Sequence, residues 1–288
     1  MKPAPFKYVR ADNARDASTL LSEYGDEAKI LAGGQSLIPL LNMRLARPEV
    51  LIDINRIDAL KAISRNGSLT IGATASQANV MRSADVSAYA PIIAAALRHV
   101  GHVGIRSRGT FGGSAAHADP ASEVPTVLCA LDAEFTATGP NGERTIPAEE
   151  FFVSTFTTSL EEDEVLTSIR LPYATTQARW SFEEVARRHG DFALVGVATV
   201  AEVDADGVCQ KARIALSGVS DTPVRAHEAE AELVGRKLGE AADDAGRVAQ
   251  QHLDPPGDFH ASAQYRSDVS RVLVTRAINQ MANQEGAR

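Results

Sequence analysis

The chain of 288 residues has only two cysteines, Cys129 and Cys209, far apart and in no ligand-spaced cluster. An ordinary iron–sulfur cluster takes four cysteine ligands, so this chain does not hold one alone. Cys129 lies in the apolar stretch Val127-Leu128-Cys129-Ala130-Leu131 and reads as a packed thiol on a helix. The seven histidines show no His-x-x-x-His pairing, and no protein-bound metal is expected. No run approaches the roughly 18 apolar residues of a membrane-spanning helix. Met1 to Pro5 lack the apolar core of a signal peptide, so a cytoplasmic protein with no membrane span is expected. Clustered Lys/Arg is also missing and the net charge is −8, which argues against nucleic acid as a partner.

What is present is glycine, in two places. The first is Ala32-Gly33-Gly34-Gln35-Ser36. A short apolar strand ending at Ile30-Leu31 precedes it, and a helix with Leu37, Leu40 and Leu41 on one side follows, running to Arg47-Pro48. Pro39 falls in the first turn of that helix, where a missing N–H costs little. Paired glycines let backbone approach a bulky ligand, and the N–H groups of such a turn suit a phosphate or pyrophosphate. Alone, the stretch is equally well an ordinary strand-to-helix connection.

The second place is residues 106–125, a long, small-residued and polar loop with Gly109, Gly112 and Gly113. Ser122 reads as the N-cap of a helix to Leu131, with Glu123 in the first turn, where the helix dipole favours an anion. Neither glycine stretch matches Gly-x-Gly-x-x-Gly or Gly-x-x-x-x-Gly-Lys-[Ser/Thr]. A conventional Rossmann or Walker site is therefore disfavoured.

The remaining pattern is mixed. Residues 6–10 read as a strand, and Asn13 or Asp16 caps a helix that stops at Gly25. Residues 50–54 form a buried strand, and Asn66-Gly67 marks a hairpin. Thr74 caps a helix through Met81, and Pro91 starts another to His99. A second hairpin crosses Pro140-Asn141-Gly142, and Phe151, Phe152 and Phe156 are expected in the core. A strand over 164–171 ends at Pro172. Beyond it come three β runs (180–188, 192–203, 208–219) and three helical patterns (224–233, 241–251, 267–283). The fold class is therefore α+β, with a first domain over 1–173 and a second, a three-stranded antiparallel sheet with helices, over 174–288. With 44% hydrophobic residues the chain has enough apolar material for two cores.

Taken with their flanks, Ala32-Gly33-Gly34-Gln35-Ser36 followed by Leu-Ile-Pro-Leu-Leu-Asn-Met-Arg, and Arg108-Gly-Thr-Phe-Gly-Gly-Ser114 leading to Ala118-Asp-Pro-Ala-Ser122, resemble two flavin motifs. They are those of the medium, FAD-binding subunit of the molybdenum hydroxylases, the carbon monoxide dehydrogenase and xanthine dehydrogenase family. The likeness spans the chain: residues 6–10 resemble the family's opening, 183–193 its Arg-x-x-Asp-Phe-Ala stretch, and 265–277 its final helix. The resemblance implies a two-part FAD domain of the vanillyl-alcohol-oxidase (PCMH) type, a flavoprotein C-terminal domain, and non-covalent FAD. It implies that Ala32, Gly33, Gly34, Gln35 and Ser36 wrap the pyrophosphate, with Leu37 beside them, and that Thr110, Gly112, Gly113 and Ser114 form the second loop. Glu123 takes the place of a carboxylate that helps hold the cofactor's sugar chain. Leu166 matches a cleft-lining residue and Phe192 a bulky one beside the isoalloxazine. His117 is the histidine closest to a flavin contact, and no side chain is assigned as a catalytic acid or base.

The sequence departs from the family pattern at three positions. Ser114 stands where Asn is usual and Glu123 where Asp is usual. Glu183 aligns with a Lys that xanthine dehydrogenases carry near the flavin, and an anion there would disfavour a nicotinamide cofactor's phosphates. The function implied is an electron-transfer subunit. Hydroxylation takes place at molybdopterin on a large partner, electrons cross [2Fe-2S] clusters on a small partner, and FAD on this chain passes them to an acceptor. Two alternatives are a stand-alone FAD-dependent oxidase or dehydrogenase, and a non-catalytic nucleotide-binding protein.

Overall fold

The computed structural model describes residues 2–173 and 178–284. The expected domain boundary at 173/174 adjoins residues 174–177, which lie outside the described residues. Three hydrophobic cores follow one another along the chain. The first is built on a small parallel sheet in the order Lys7–Arg10, Val50–Asp53, Ala28–Leu31. Helix Ala14–Tyr24 joins the two outer strands, and helix Leu37–Met43 supplies the crossover between the parallel neighbours Ala28–Leu31 and Val50–Asp53. Asn13 caps that helix by accepting the Asp16 N–H at 2.9 Å, and Gly25 (φ 53°) ends it. Ala17 and Leu21 are buried against the sheet, on the side their spacing assigns.

The second core lies under a five-stranded antiparallel sheet in the order Ile63–Asn66, Ser68–Gly72, Val165–Leu171, Glu134–Gly139, Gly142–Pro147. Gly67 (φ 73°) and Gly142 (φ 118°) turn its two hairpins. Phe135 and Phe151 stack at 3.8 Å between ring centroids, with Phe152 edge-on to both. Phe156 departs from expectation. It is 58% exposed, holds φ 57°, and lies on His117 at 4.9 Å, outside the core.

Two more local expectations are corrected here. Ser76, not Thr74, caps the helix Gln77–Arg82, accepting from the Asn79 N–H. The Thr74 N–H is still bound across to the Leu60 carbonyl at 2.8 Å, so the chain is not free to turn until Ser76. The second glycine stretch is not one long loop but two short helices, Val103–Arg108 and Phe111–His117. Small residues suggest a loop locally, but a capped turn at Thr110 and burial of Phe111 make them helical. Helix Glu123–Ala130 follows, buried on every side; Ser122 occupies its cap position without a side-chain cap bond.

The C-terminal part is an antiparallel sheet of Arg179–Ala186, Ala193–Val203 and Cys209–Ser217, with a two-residue edge strand Val224–Arg225. That edge strand takes the start of the stretch expected to be helical from residue 224, so the helix begins at His227. Helices His227–Leu233 and Ala263–Ala282 lie on one sheet face, helix Leu238–Gln251 packs over both, and Leu273, Val274, Ala277 and Ile278 are buried in the third core. The opposite face receives helix Glu123–Ala130 from the first domain. Cys129 and Cys209 are both buried and free, and burial pushes the Cys129 thiol up to about 12.

One ion cluster ties the two halves. Asp132, in the left-handed region at φ 49°, accepts from the Arg213 Nε and from the Arg225 Nη1 at 2.7 Å. Arg225 also donates to the Cys129 carbonyl at 3.1 Å and pairs with Glu230. Burial raises the Asp132 carboxyl, but the two guanidiniums outweigh it and hold it below the ordinary 3.8. Its contribution is therefore complete at neutral pH and is lost as pH falls below that ordinary value. Replacing Asp132 with Ala leaves the Arg213 side chain, 4% exposed, with the long 3.4 Å contact to Glu202 and the Tyr173 ring at 5.5 Å. We expect Asp132→Ala to cost about 3 kcal/mol and to lower the melting temperature at pH 7 by roughly 6 to 12 °C. Thermal unfolding measures this, and a shift within experimental error would remove the cluster as an interdomain clamp.

Candidate functional site

A cleft of about 660 Å³ opens where the parallel strands end. Its floor is the first glycine stretch, its far wall the Thr110–His117 segment, and its outer rim Gly190–Phe192 from the second domain. Every residue expected at the site lines it: Ala32, Gly33, Gly34, Gln35, Ser36, Leu37, Thr110, Gly112, Gly113, Ser114, His117, Glu123, Leu166 and Phe192. Residues as distant in the chain as Ala32 and Phe192 therefore share one surface.

The first stretch leaves the end of strand Ala28–Leu31, turns at Gly34 (φ 70°), and enters the helix Leu37–Met43. Arg44 (φ 59°) ends that helix earlier than the expected Arg47-Pro48. Gln35 folds back and donates to the Gly33 carbonyl at 2.9 Å. Asn55 buttresses the stretch from behind, donating through Nδ2 to the Ala32 carbonyl at 2.7 Å and the Leu31 carbonyl at 3.2 Å. Asp53, also bound by Tyr8, orients Asn55 in turn. Carbonyls are thus held inward while the N–H groups of residues 33–37 make no hydrogen bond to another described residue. A row of unused amides suits an anion that brings its own acceptors.

The second stretch is built differently. The Gly112 N–H is taken by the Ala73 carbonyl at 2.9 Å and the Gly113 N–H by Thr110 Oγ1 at 3.1 Å. The Ser114 N–H goes to the Thr110 carbonyl at 3.1 Å. Its amides are therefore spent on the protein, and what it offers a ligand is surface and the side chains of Ser114 and His117. The glycines have the same internal reason. A Cβ on Gly33 would meet the Arg108 carbonyl oxygen, the Gly109 Cα at 2.8 Å and the Thr110 N at 2.9 Å. A Cβ on Gly112 would sit 2.6 Å from the Ala73 Cα. The two stretches touch each other before either touches a ligand.

Gln77 carries no signal in the sequence, where it is one more glutamine inside a helix. It is 4% exposed, lines the cleft, and its Oε1 has no hydrogen-bond partner. Asn55 likewise bears no mark beyond following a strand. Burial lowers the His117 imidazole and keeps it neutral, against a smaller opposite effect of Asp119. Its ring is fixed by the Phe156 stack. Leu166 is a buried apolar wall, whereas Phe192 is 60% exposed at the mouth. Lys29 is the only Lys or Arg among the described lining residues, which include Asp26, Glu123, Glu161, Glu162, Glu164 and Asp191. A bound phosphate must therefore rely on amides more than on cations.

Glu183 requires a correction. Strand side chains alternate, and Glu183 points to the last helix, where Gln280 and the Arg276 guanidinium (3.5 Å) bind it. It does not line the cleft. The carboxylate facing the first domain is its neighbour Glu184, 3.6 Å from the His99 Nδ1. Charge at Glu183 therefore gives no geometric reason to disfavour a nicotinamide cofactor.

The donor set fits FAD: free amides for its pyrophosphate, an orphaned buried amide oxygen in Gln77 for a sugar hydroxyl, and an apolar wall for its ring. Among the described residues no cluster of His, Cys, Asp or Glu is placed to hold a metal ion. Because Gly33 sits against backbone, Gly33→Ala should force the two stretches apart. We expect a lower melting temperature for the ligand-free protein, with Gly104→Ala, whose Cβ would meet nothing within 4 Å, as the neutral control. Equal melting of the two variants would show that the contact does not matter.

Known proteins bear the same features. The FAD binding domain in molybdopterin dehydrogenase matches residues 4–174, and the CO dehydrogenase flavoprotein C-terminal domain matches residues 180–281. The 6-hydroxypseudooxynicotine dehydrogenase complex subunit alpha of Paenarthrobacter nicotinovorans is 44% identical over 282 residues, covering 96% of this chain and 95% of that protein. The carbon monoxide dehydrogenase medium chain of Hydrogenophaga pseudoflava is 37% identical, covering 97% and 98%. A solved carbon monoxide dehydrogenase chain from the same organism superposes with a TM-score of 0.94 at 38% identity, over 97% of this chain and 98% of that one. Quinoline 2-oxidoreductase from Pseudomonas putida 86 gives 0.93 at 34% identity, over 98% of both. With both domains matched in order over nearly its whole length, the chain belongs to the FAD-binding medium-subunit family of the molybdenum hydroxylases.

Proposed function

We propose that this chain is the FAD-binding electron-transfer subunit of a molybdenum-containing hydroxylase or dehydrogenase, with a small iron–sulfur subunit and a large molybdopterin subunit as partners. The observation that carries the reading is the row of unused amides at residues 33–37, all of which line the 660 Å³ cleft. Bound there, FAD supplies the exchange between one-electron carriers and a two-electron acceptor. The protein's part is to bind and orient. The amides of Gly33 to Leu37 would hold the pyrophosphate, the side chains of Ser114 and Gln77 the sugar chain, and Leu166 would wall the ring site. Phe192, exposed at the rim, would stand beside the ring from the second domain. His117 stays neutral and adds no charge beside it.

Two further points belong to this proposal. The chain divides into an FAD-binding domain over 1–173 and a C-terminal domain over 174–288, and its place is the cytoplasm. Among the described residues no helix is long and apolar enough to cross a membrane.

Purified protein should be yellow, release FAD on denaturation without proteolysis, and contain no molybdenum of its own. Absorbance spectroscopy, cofactor extraction and metal analysis measure these three properties. Protein that stays colourless after exposure to FAD, alone and in complex with its partners, would contradict the assignment.

A further inference from the structure

The cleft contains one group whose surroundings contradict the role its residue type suggests. Glu123 opens the helix Glu123–Ala130, lines the cleft and is 5% exposed. The charges acting on it are both negative: Glu184 first, then Asp119. Its own backbone N–H and its place at the helix start act the other way and are outweighed. Glu184 lies on strand Arg179–Ala186 of the second domain. The Glu184 side chain is 3% exposed, and its Oε2 is buried without a hydrogen-bond partner. The other oxygen lies 3.6 Å from His99, whose ring packs on Phe182 at 5.2 Å. Among the described residues no Lys or Arg pairs with either carboxyl.

A buried carboxyl that faces negative charge and no cation favours its neutral form. We propose that Glu123 meets the bound cofactor as a neutral carboxylic acid, a hydrogen-bond donor, and that Glu184 is the positioning residue from the second domain that keeps it so. Burial, and then Glu184, push the Glu123 carboxyl up to about 8, so it carries its proton at pH 7. A carboxylate only accepts, whereas the acid presents an O–H. It can therefore face an acceptor oxygen of the cofactor, phosphate included, that a carboxylate would repel. The inference rests on the cleft being the FAD site, but the protonation state is a property of the chain alone.

The test separates the two. Infrared titration of the full chain without FAD should show a carboxylic-acid carbonyl band that persists at pH 7 and disappears near pH 8. Glu123→Gln should remove the band, and Glu184→Gln, which deletes one charge at constant shape, should move its titration to lower pH. Absence of the band at pH 7, or a Glu184→Gln titration identical to the unsubstituted protein, would overturn the proposal whatever the cofactor does. In FAD binding, the amide of Glu123→Gln also donates, so its affinity should stay within about threefold of the parent at pH 7. It should also lose the parent's weakening above pH 8. A tenfold loss at pH 7 would instead mean that Glu123 acts as an accepting carboxylate.

Discussion

The backbone contact between Gly33 and the Arg108–Thr110 segment is the constraint on which the rest depends. It brings the end of a parallel strand against a capped helix start far along the chain. With the two in contact, Ala73 receives Gly112, and Asn55 pins the carbonyls of Leu31 and Ala32 at the entry to the first stretch. The amides of residues 33–37, which line the cleft, are then left out of the secondary-structure bonding. Any side chain at residue 33 would separate these parts before it obstructed a ligand.

The two glycine stretches consequently divide the work. The first presents donors; the second is a rigid wall whose own donors are already satisfied. Glycine is required in both, but at Gly33 and Gly112 the reason is packing against protein, and only at Gly34 is it a left-handed turn. The second domain completes the cleft with Gly190–Phe192, and the Glu184 charge on it acts on Glu123. The Asp132 cluster and the burial of helix Glu123–Ala130 against the second sheet keep that contribution in register.

Much of this is legible in the residues. Hairpins marked by Asn66-Gly67 and Asn141-Gly142, the cap at Asn13, and the strand runs of the second domain follow from local rules that tertiary packing does not override. The residues named for the site all line one cleft, because the family motifs quoted for them mark surface rather than isolated contacts. The misreadings have a common source. Thr74 and Ser76 are equally good caps on paper, and only the backbone bond from Thr74 to Leu60 chooses between them. Phe156 has the composition of a core residue, but φ 57° turns it out over His117. Glu183 and Glu184 differ by one position, and strand alternation decides which faces the first domain. Asn55 and Gln77 act through contacts between segments distant in sequence, which no spacing announces.

Donors for the cofactor from residues 33–37, beside a second stretch whose donors are already satisfied, are the centre of this account. Amide hydrogen exchange of the full protein, with and without FAD, measures this directly. Exchange at residues 33–37 should be fast and should slow strongly on FAD addition, while the amides of Gly112, Gly113 and Ser114 are protected in both states. Protection gained at residues 112–114 with no change at 33–37 would contradict it.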